Sequence, residues 1–173
     1  KSLDTKKIKY FLEIGPGMGI LTQYLLKLSI PGFFIEIDKD SVKYLNKHYP
    51  SLSDKLILAD FIKINLHDFN SPIGIIGNFP YNISSQILFK VIENRQLIDQ
   101  LVGMFQLEVG ERICAKPGNK TYGIISVLTQ AYFHTELIFK LDPSFFFPQP
   151  KVNSAVIKLS NKKAGLKYST LIS

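Results

Sequence analysis

The chain has 173 residues, 46% apolar and 20% charged, which suits one domain with a substantial core and excludes a disordered or fibrous polypeptide. Its net charge of +7 is unevenly placed: residues 101–173 carry nine basic against four acidic side chains, residues 51–100 four against five. The single cysteine, Cys114, excludes an intramolecular disulfide framework and a cysteine zinc site, and His48, His67 and His134 lack ligand spacing, so no metal is expected.

Short apolar runs alternate with helical patterns, the signature of a mostly parallel sheet wound with helices on both faces. The first strand is predicted over 8–14 and runs into Gly15-Pro16-Gly17-Met18-Gly19. A helix over 18–28 follows, with Ile20, Leu21, Tyr24, Leu25 and Leu28 at helical spacing. The glycines let the main chain approach a ligand where a Cβ would collide. G-x-G-x-G departs from the dinucleotide fingerprint because Ile20 occupies the last glycine position, which weighs against a nicotinamide cofactor. A second strand, 32–37, holds Glu36 about 20 residues beyond the turn, where an acidic side chain grips ribose hydroxyls in this class of fold. A helix over 39–47 and a strand over 55–58 lead to Asp60, placed to accept a hydrogen bond from an adenine amino group. Singly, each carboxylate reads more readily as a cap or a solvated turn; their order after the glycine turn favours a nucleoside site.

The next apolar run, 73–77, ends in Asn78-Phe79-Pro80-Tyr81, at a strand end where open α/β sheets put their chemistry. The Asn78 amide oxygen and a neighbouring main-chain carbonyl can both accept from a planar amino group, and Tyr81 offers a ring on which a base stacks. A turn with a core tyrosine is the competing account. Helices near 83–93 and 107–114 flank a strand over 101–105, and a helix over 123–132 precedes strands over 134–140 and 152–159. The loop from Ala115 to Gly123 carries Lys116, Lys120 and Tyr122, a helix connection with the means to meet RNA. Phe145, Phe146 and Phe147 stand together between Pro143 and Pro150, so at least one is expected at a pocket or surface.

These motifs resemble the ribosomal RNA adenine N6-dimethyltransferases, which use S-adenosylmethionine. The match runs through Glu13-Ile14-Gly15-Pro16-Gly17, Glu36, Asp60, Gly77 to Ser84, Gln106-Leu107-Glu108-Val109, and Pro148 to Ser154, nearly the whole chain in the right order. Within the family it looks most like the bacterial housekeeping branch that dimethylates two adjacent adenosines near the 3′ end of 16S RNA. The macrolide-resistance branch, acting on large-subunit RNA, shares the adenine motif but fits less well at Gly15-Pro16-Gly17 and at Lys116 to Gly123. Phe79 stands where Leu is usual and is expected to alter the pocket wall; Leu107 stands where Lys is frequent.

The resemblance implies a Rossmann-like methyltransferase fold with a seven-stranded sheet. Glu13, Gly15, Gly17, Glu36, Ile37, Asp60, Phe61 and Asn78 would contact S-adenosylmethionine. Asn78, Phe79, Pro80 and Tyr81 would hold the target adenine, with Phe146 facing Tyr81 across it, and Lys116, Lys120 and Lys151 would meet RNA. Residues 1–160 are expected to form the catalytic domain and 161–173 a tail leading toward a helical domain that relatives carry. The expected partners are small-subunit ribosomal RNA and the pre-30S particle, the protein a monomer. No stretch is long and apolar enough for a membrane span, so a cytoplasmic location is expected. A DNA adenine methyltransferase and a non-catalytic ribosome-assembly factor remain as alternatives.

Overall fold

The computed structural model describes residues 3–69 and 72–162. Its strands are β1 (Tyr10–Ile14), β2 (Gly32–Glu36), β3 (Leu56–Leu58), β4 (Ile73–Asn78), β5 (Ile98–Gln106), β6 (Phe133–Leu141) and β7 (Ser154–Asn161). Its helices are α1 (Thr22–Leu25), α2 (Lys39–His48), α3 (Ser84–Glu93), α4 (Leu107–Cys114) and α5 (Ile124–Tyr132). The strands form one sheet in the order β3-β2-β1-β4-β5-β7-β6. β1 to β5 are parallel, and β7 runs antiparallel to both its neighbours, β5 and β6.

The central strands are buried on both faces, which is why they read as unbroken apolar runs rather than alternating ones. Leu12, Ile75, Leu101 and Phe105 project into a core shared with α3, α4 and α5. Phe11, Phe34, Ile76 and Val102 face the other way, toward Leu25 of α1 and Leu52 of the turn after α2. The ring of Phe79 takes up the space left by the missing side chain of Gly103, where an added Cβ would lie 2.1 Å from it.

Three expectations need correction. The helix predicted over 18–28 shrinks to the four residues of α1. Gly17 and Gly19 have φ of +55° and +83°, so the chain is still turning where the apolar spacing asked for helix. Ile20 and Tyr24, expected on a buried face, are exposed. β5 starts at Ile98, not at 101, because the buried polar pair Asp99 and Gln100 belongs to it. The Gln100 side chain accepts from Asp4 N (2.9 Å) and donates to Asp4 O (3.0 Å), a main-chain-like pairing that hides the strand from an apolar scan. Finally, β7 runs through Asn161 into the tail expected over 161–173, most of which lies outside the described residues.

Candidate active site

The order of strands reverses between β1 and β4, and the crevice beyond their carboxyl ends is where open α/β sheets bind ligands. Gly15 and Gly17 form its floor at φ of +66° and +55°, and a Cβ on either would meet nothing within 4 Å. The glycines thus keep a cradle open above the turn instead of relieving a clash inside it. Glu36, at the end of β2 and 6% exposed, ties this turn down. One carboxylate oxygen accepts from Gly17 N (2.9 Å), the other from Ile37 N (2.8 Å) and Asp38 N (2.9 Å). A carboxylate has about four acceptor sites, so capacity remains for a ligand hydroxyl.

Glu13 sits beneath the turn, 1% exposed, where its carboxylate accepts from the Thr22 hydroxyl at 2.8 Å. Burial pushes its pKa from 4.5 up to about 7; the Thr22 bond opposes this and the charge of Glu36 adds to it. Through this bond Glu13, expected as a ligand contact, joins β1 to α1 across the glycine turn. Ile37 is exposed beside Glu36. Asp60 caps the short 3-10 turn Phe61–Lys63 by accepting from Ile62 N at 2.9 Å. The Phe61 ring is buried, so its side chain supports this rim from below. Lys90, on α3, donates to the carbonyls of Ile62 (2.7 Å) and Ile64 (2.5 Å) with its ammonium 5.4 Å from the centre of the Phe61 ring. Desolvation lowers its pKa, and Asp60 and Glu93 oppose that shift.

Asn78 is the exposed last residue of β4, and two clefts share it. One, of about 410 Å3, runs along the α1 side past Leu21, Tyr24, Ile76, Val102 and Met104. The other, of about 310 Å3, is lined by Pro80, Tyr81, Met104, Phe146 and Phe147. The structure therefore brings Asn78, Pro80, Tyr81 and Phe146 to one cleft. Phe79 also lines this cleft but is only 1% exposed, and its ring packs edge-on against Phe105 at 5.4 Å, so Phe in place of Leu is taken up largely by the core. What Phe79 offers the cleft is its main chain. The Pro80 carbonyl accepts from Ile83 N at 3.1 Å. Tyr81 is held at both ends: its carbonyl accepts from the Ser84 hydroxyl (3.0 Å) and its own hydroxyl lies 2.5 Å from the buried Ser154 hydroxyl at the start of β7.

Lys116 and Lys120 are exposed on the loop between α4 and α5. Lys120 borders a further cleft with Ser85 and Phe89 of α3, Arg112 and Tyr122. Lys151 is exposed three residues before Ser154. The structure does not gather these three lysines into one cluster: Lys151 belongs to the aromatic loop, the other two to the α4–α5 connection. Lys90, Ser154 and Met104 escaped the sequence reading. Only Ser154 carried a signal, as the last residue of the matched Pro148–Ser154 stretch.

A family profile described as ribosomal RNA adenine dimethylase matches residues 1–171. A ribosomal RNA small subunit methyltransferase A from Flavobacterium johnsoniae is 52% identical over 165 residues, 92% of this chain and 63% of its own length. Its counterpart in Cytophaga hutchinsonii is 54% identical over 153 residues, 87% of this chain and 59% of its own. The chain thus spans about 60% of the length of these curated relatives. A dimethyladenosine transferase from Plasmodium falciparum superposes with a TM-score of 0.81 at 32% identity, over 98% of this chain and 60% of that one. The 23S rRNA methyltransferase ErmE gives 0.80 at 28%, over 91% and 63%. With a profile match over almost its full length and relatives above 50% identity, the chain belongs to the ribosomal RNA adenine dimethylase family.

Proposed function

We propose that this chain is the catalytic part of an enzyme that transfers methyl groups from S-adenosylmethionine to N6 of adenosine in small-subunit ribosomal RNA. In this reading it dimethylates two adjacent adenosines on the pre-30S particle, as a cytoplasmic monomer. The observation that carries it is the position of Asn78 at the junction of two clefts, one running along α1, the helix that follows the glycine turn, and one lined by aromatic rings. A group-transfer enzyme needs that arrangement, because donor and acceptor must meet in line from opposite sides of one polar group.

The residues present fit S-adenosylmethionine. Gly15 and Gly17 leave room for the main chain to approach it, Glu36 keeps acceptor capacity for ribose hydroxyls, and Ile37 and Asp60 would contact its adenine. Once bound, it supplies an electrophilic methyl carbon on a sulfonium that is already a good leaving group. The chain's task is then positioning. Asn78 Oδ1 and the Phe79 carbonyl accept from the N6 amino group; Phe79 is favoured over Pro80, whose carbonyl already serves Ile83. Those bonds favour the pyramidal amine and strengthen as positive charge develops on nitrogen, which is differential binding of the transition state. Tyr81 and Phe146 stack on the extruded base, offsetting part of the unstacking cost at about 1–3 kcal/mol per base. The methylated nitrogen is acidic enough to lose its proton to water, so no strong base is required.

Curated relatives near 50% identity are named for the small subunit, whereas ErmE, named for 23S rRNA, is 28% identical, which supports small-subunit RNA as the substrate. Lys116, Lys120 and Lys151 would then neutralise backbone phosphates. Replacing Lys116 and Lys120 together by Glu is expected to weaken RNA binding, reduce its salt slope by about 0.7–0.9 for each phosphate no longer neutralised, and leave S-adenosylmethionine affinity unchanged. The reading as a whole is tested by supplying labelled S-adenosylmethionine with unmodified small subunits and mapping the label. Label on adenine N6 in small-subunit RNA is expected; label confined to another atom, to large-subunit RNA or to duplex DNA would overturn it.

A further inference from the structure

Met104 occupies the boundary between the two clefts. It is in register with Asn78 on β4 and with Val156 on β7. Side chains alternate along a strand, so Val102 and Met104 share a face, and both line the cleft that Ile76 and Asn78 enter from β4. Met104 is 9% exposed and also lines the aromatic cleft with Tyr81 and Phe146. Asn78 and Met104 are the two residues that both clefts have in common.

Of this pair, Asn78 is assigned the hydrogen bond to the acceptor amine, so Met104 is the one that can change shape without disturbing it. Its unbranched thioether chain has three rotatable bonds and re-packs against neighbours of different size. The other walls around the acceptor are stiffer. Tyr81 is held by Ser154 and Ser84, and the Phe79 ring is wedged beside Gly77 and Gly103.

We propose that Met104 is a specificity-determining residue that sets the room beside the acceptor nitrogen, and so governs whether an adenosine already carrying one methyl is admitted for a second. The inference rests on the N6-adenosine reading given above. In the second transfer the secondary amine nitrogen bonds to the incoming methyl carbon, the bond from that carbon to sulfur breaks with its electron pair going to sulfur, and the remaining N–H proton passes to water. The acceptor now carries a methyl where it had a hydrogen, and one wall has to yield by that volume. A β-branched side chain at this position is fixed at its first torsion and cannot yield in the same way.

The test compares Met104→Ile, similar in volume but stiff, with Met104→Ala, which opens the wall. Short single-stranded RNAs carrying adenosine or N6-methyladenosine at the target position are titrated by fluorescence anisotropy with no methyl donor present. Met104→Ile is expected to bind the N6-methyl RNA about tenfold more weakly than the wild type does, with the unmodified RNA changed by less than about twofold. Met104→Ala is expected to shift the preference the other way, toward the N6-methyl RNA. With the donor added, mass spectrometry of digested RNA should show Met104→Ile accumulating the monomethyl product. Equal changes for both RNAs, or none in either variant, would overturn the role of Met104. A wild type that fails to distinguish adenosine from guanosine at the target position would overturn the parent reading, and this inference with it.

Discussion

The two sides of the site are secured in different ways. On the glycine-turn side, two buried carboxylates fix the main chain: Glu36 bonds three amide groups and Glu13 bonds Thr22. On the aromatic side, one hydroxyl pair, Tyr81 with Ser154, joins the strand β4 motif to a loop whose Phe145 and Phe147 lie open to solvent. The contrast suits their tasks. In the proposed reaction, a small donor of fixed structure would be served by a preformed cradle, and an RNA base extruded from a stack by an open aromatic surface.

The contrast is tested most strongly at the point where the sides meet. Asn78→Ala is expected to lower kcat by about 100–1000-fold, the scale of removing one transition-state hydrogen bond, with S-adenosylmethionine affinity falling far less. Equal decreases in both would make Asn78 part of the donor cradle. On the donor side, Glu36→Ala should weaken S-adenosylmethionine binding by about 1.5–3 kcal/mol for each charge-assisted bond removed. Because Glu36 also ties the turn, calorimetry should be paired with a thermal melt, and Glu36→Gln should recover stability more fully than affinity. Unchanged affinity in folded Glu36→Ala would remove Glu36 from the ribose site.

Glu13 gives a pH signature. With its pKa raised from 4.5 to about 7, the folded protein holds a proton that the unfolded chain releases between those values. The stability this group contributes is therefore complete below pH 4.5 and lost as pH rises through 7. Glu13→Gln should flatten the dependence of the urea midpoint on pH across that window, by ~3 kcal/mol at most. An unaltered slope would mean that Glu13 titrates normally. The smallest effect belongs to the aromatic side: Ser154→Ala and Tyr81→Phe should each slow transfer by a factor set by about 1 kcal/mol, and the double variant should be no worse than either alone. Additive effects would show that the two hydroxyls act independently.

Much of the scaffold was legible because parallel strands buried on both faces leave continuous apolar runs. The bounds of β2, β3, β4 and α2 to α5 were read to within a residue or so of where they lie. The helix expected over 18–28 failed locally, at Gly17 and Gly19, but in two other cases the deciding partner is distant in sequence. Gln100 can be buried within β5 because Asp4, 96 positions away, satisfies its side-chain amide. Lys90 looks like a polar interruption of α3 until the carbonyls of Ile62 and Ile64 are seen above it. Around the site, the glycine turn, Glu36, Asn78 and Tyr81 were legible as chemistry, but the inward turn of Glu13 and of the Phe79 ring depended on what packs against them.

The reversed direction of β7 has a consequence for how such a site diversifies. A residue that precedes a parallel strand emerges at the edge of the sheet away from the crevice, but Ser154 opens an antiparallel strand and so emerges beside Tyr81. The connection between β6 and β7, residues 142–153, is thereby delivered to the crevice edge of the sheet, anchored at both ends by hairpin pairing, with Phe146 and Phe147 lining the cleft that Tyr81 shares. Exchanging that segment between relatives should retarget the acceptor while leaving the donor cradle untouched, a division of labour that a wholly parallel sheet does not offer.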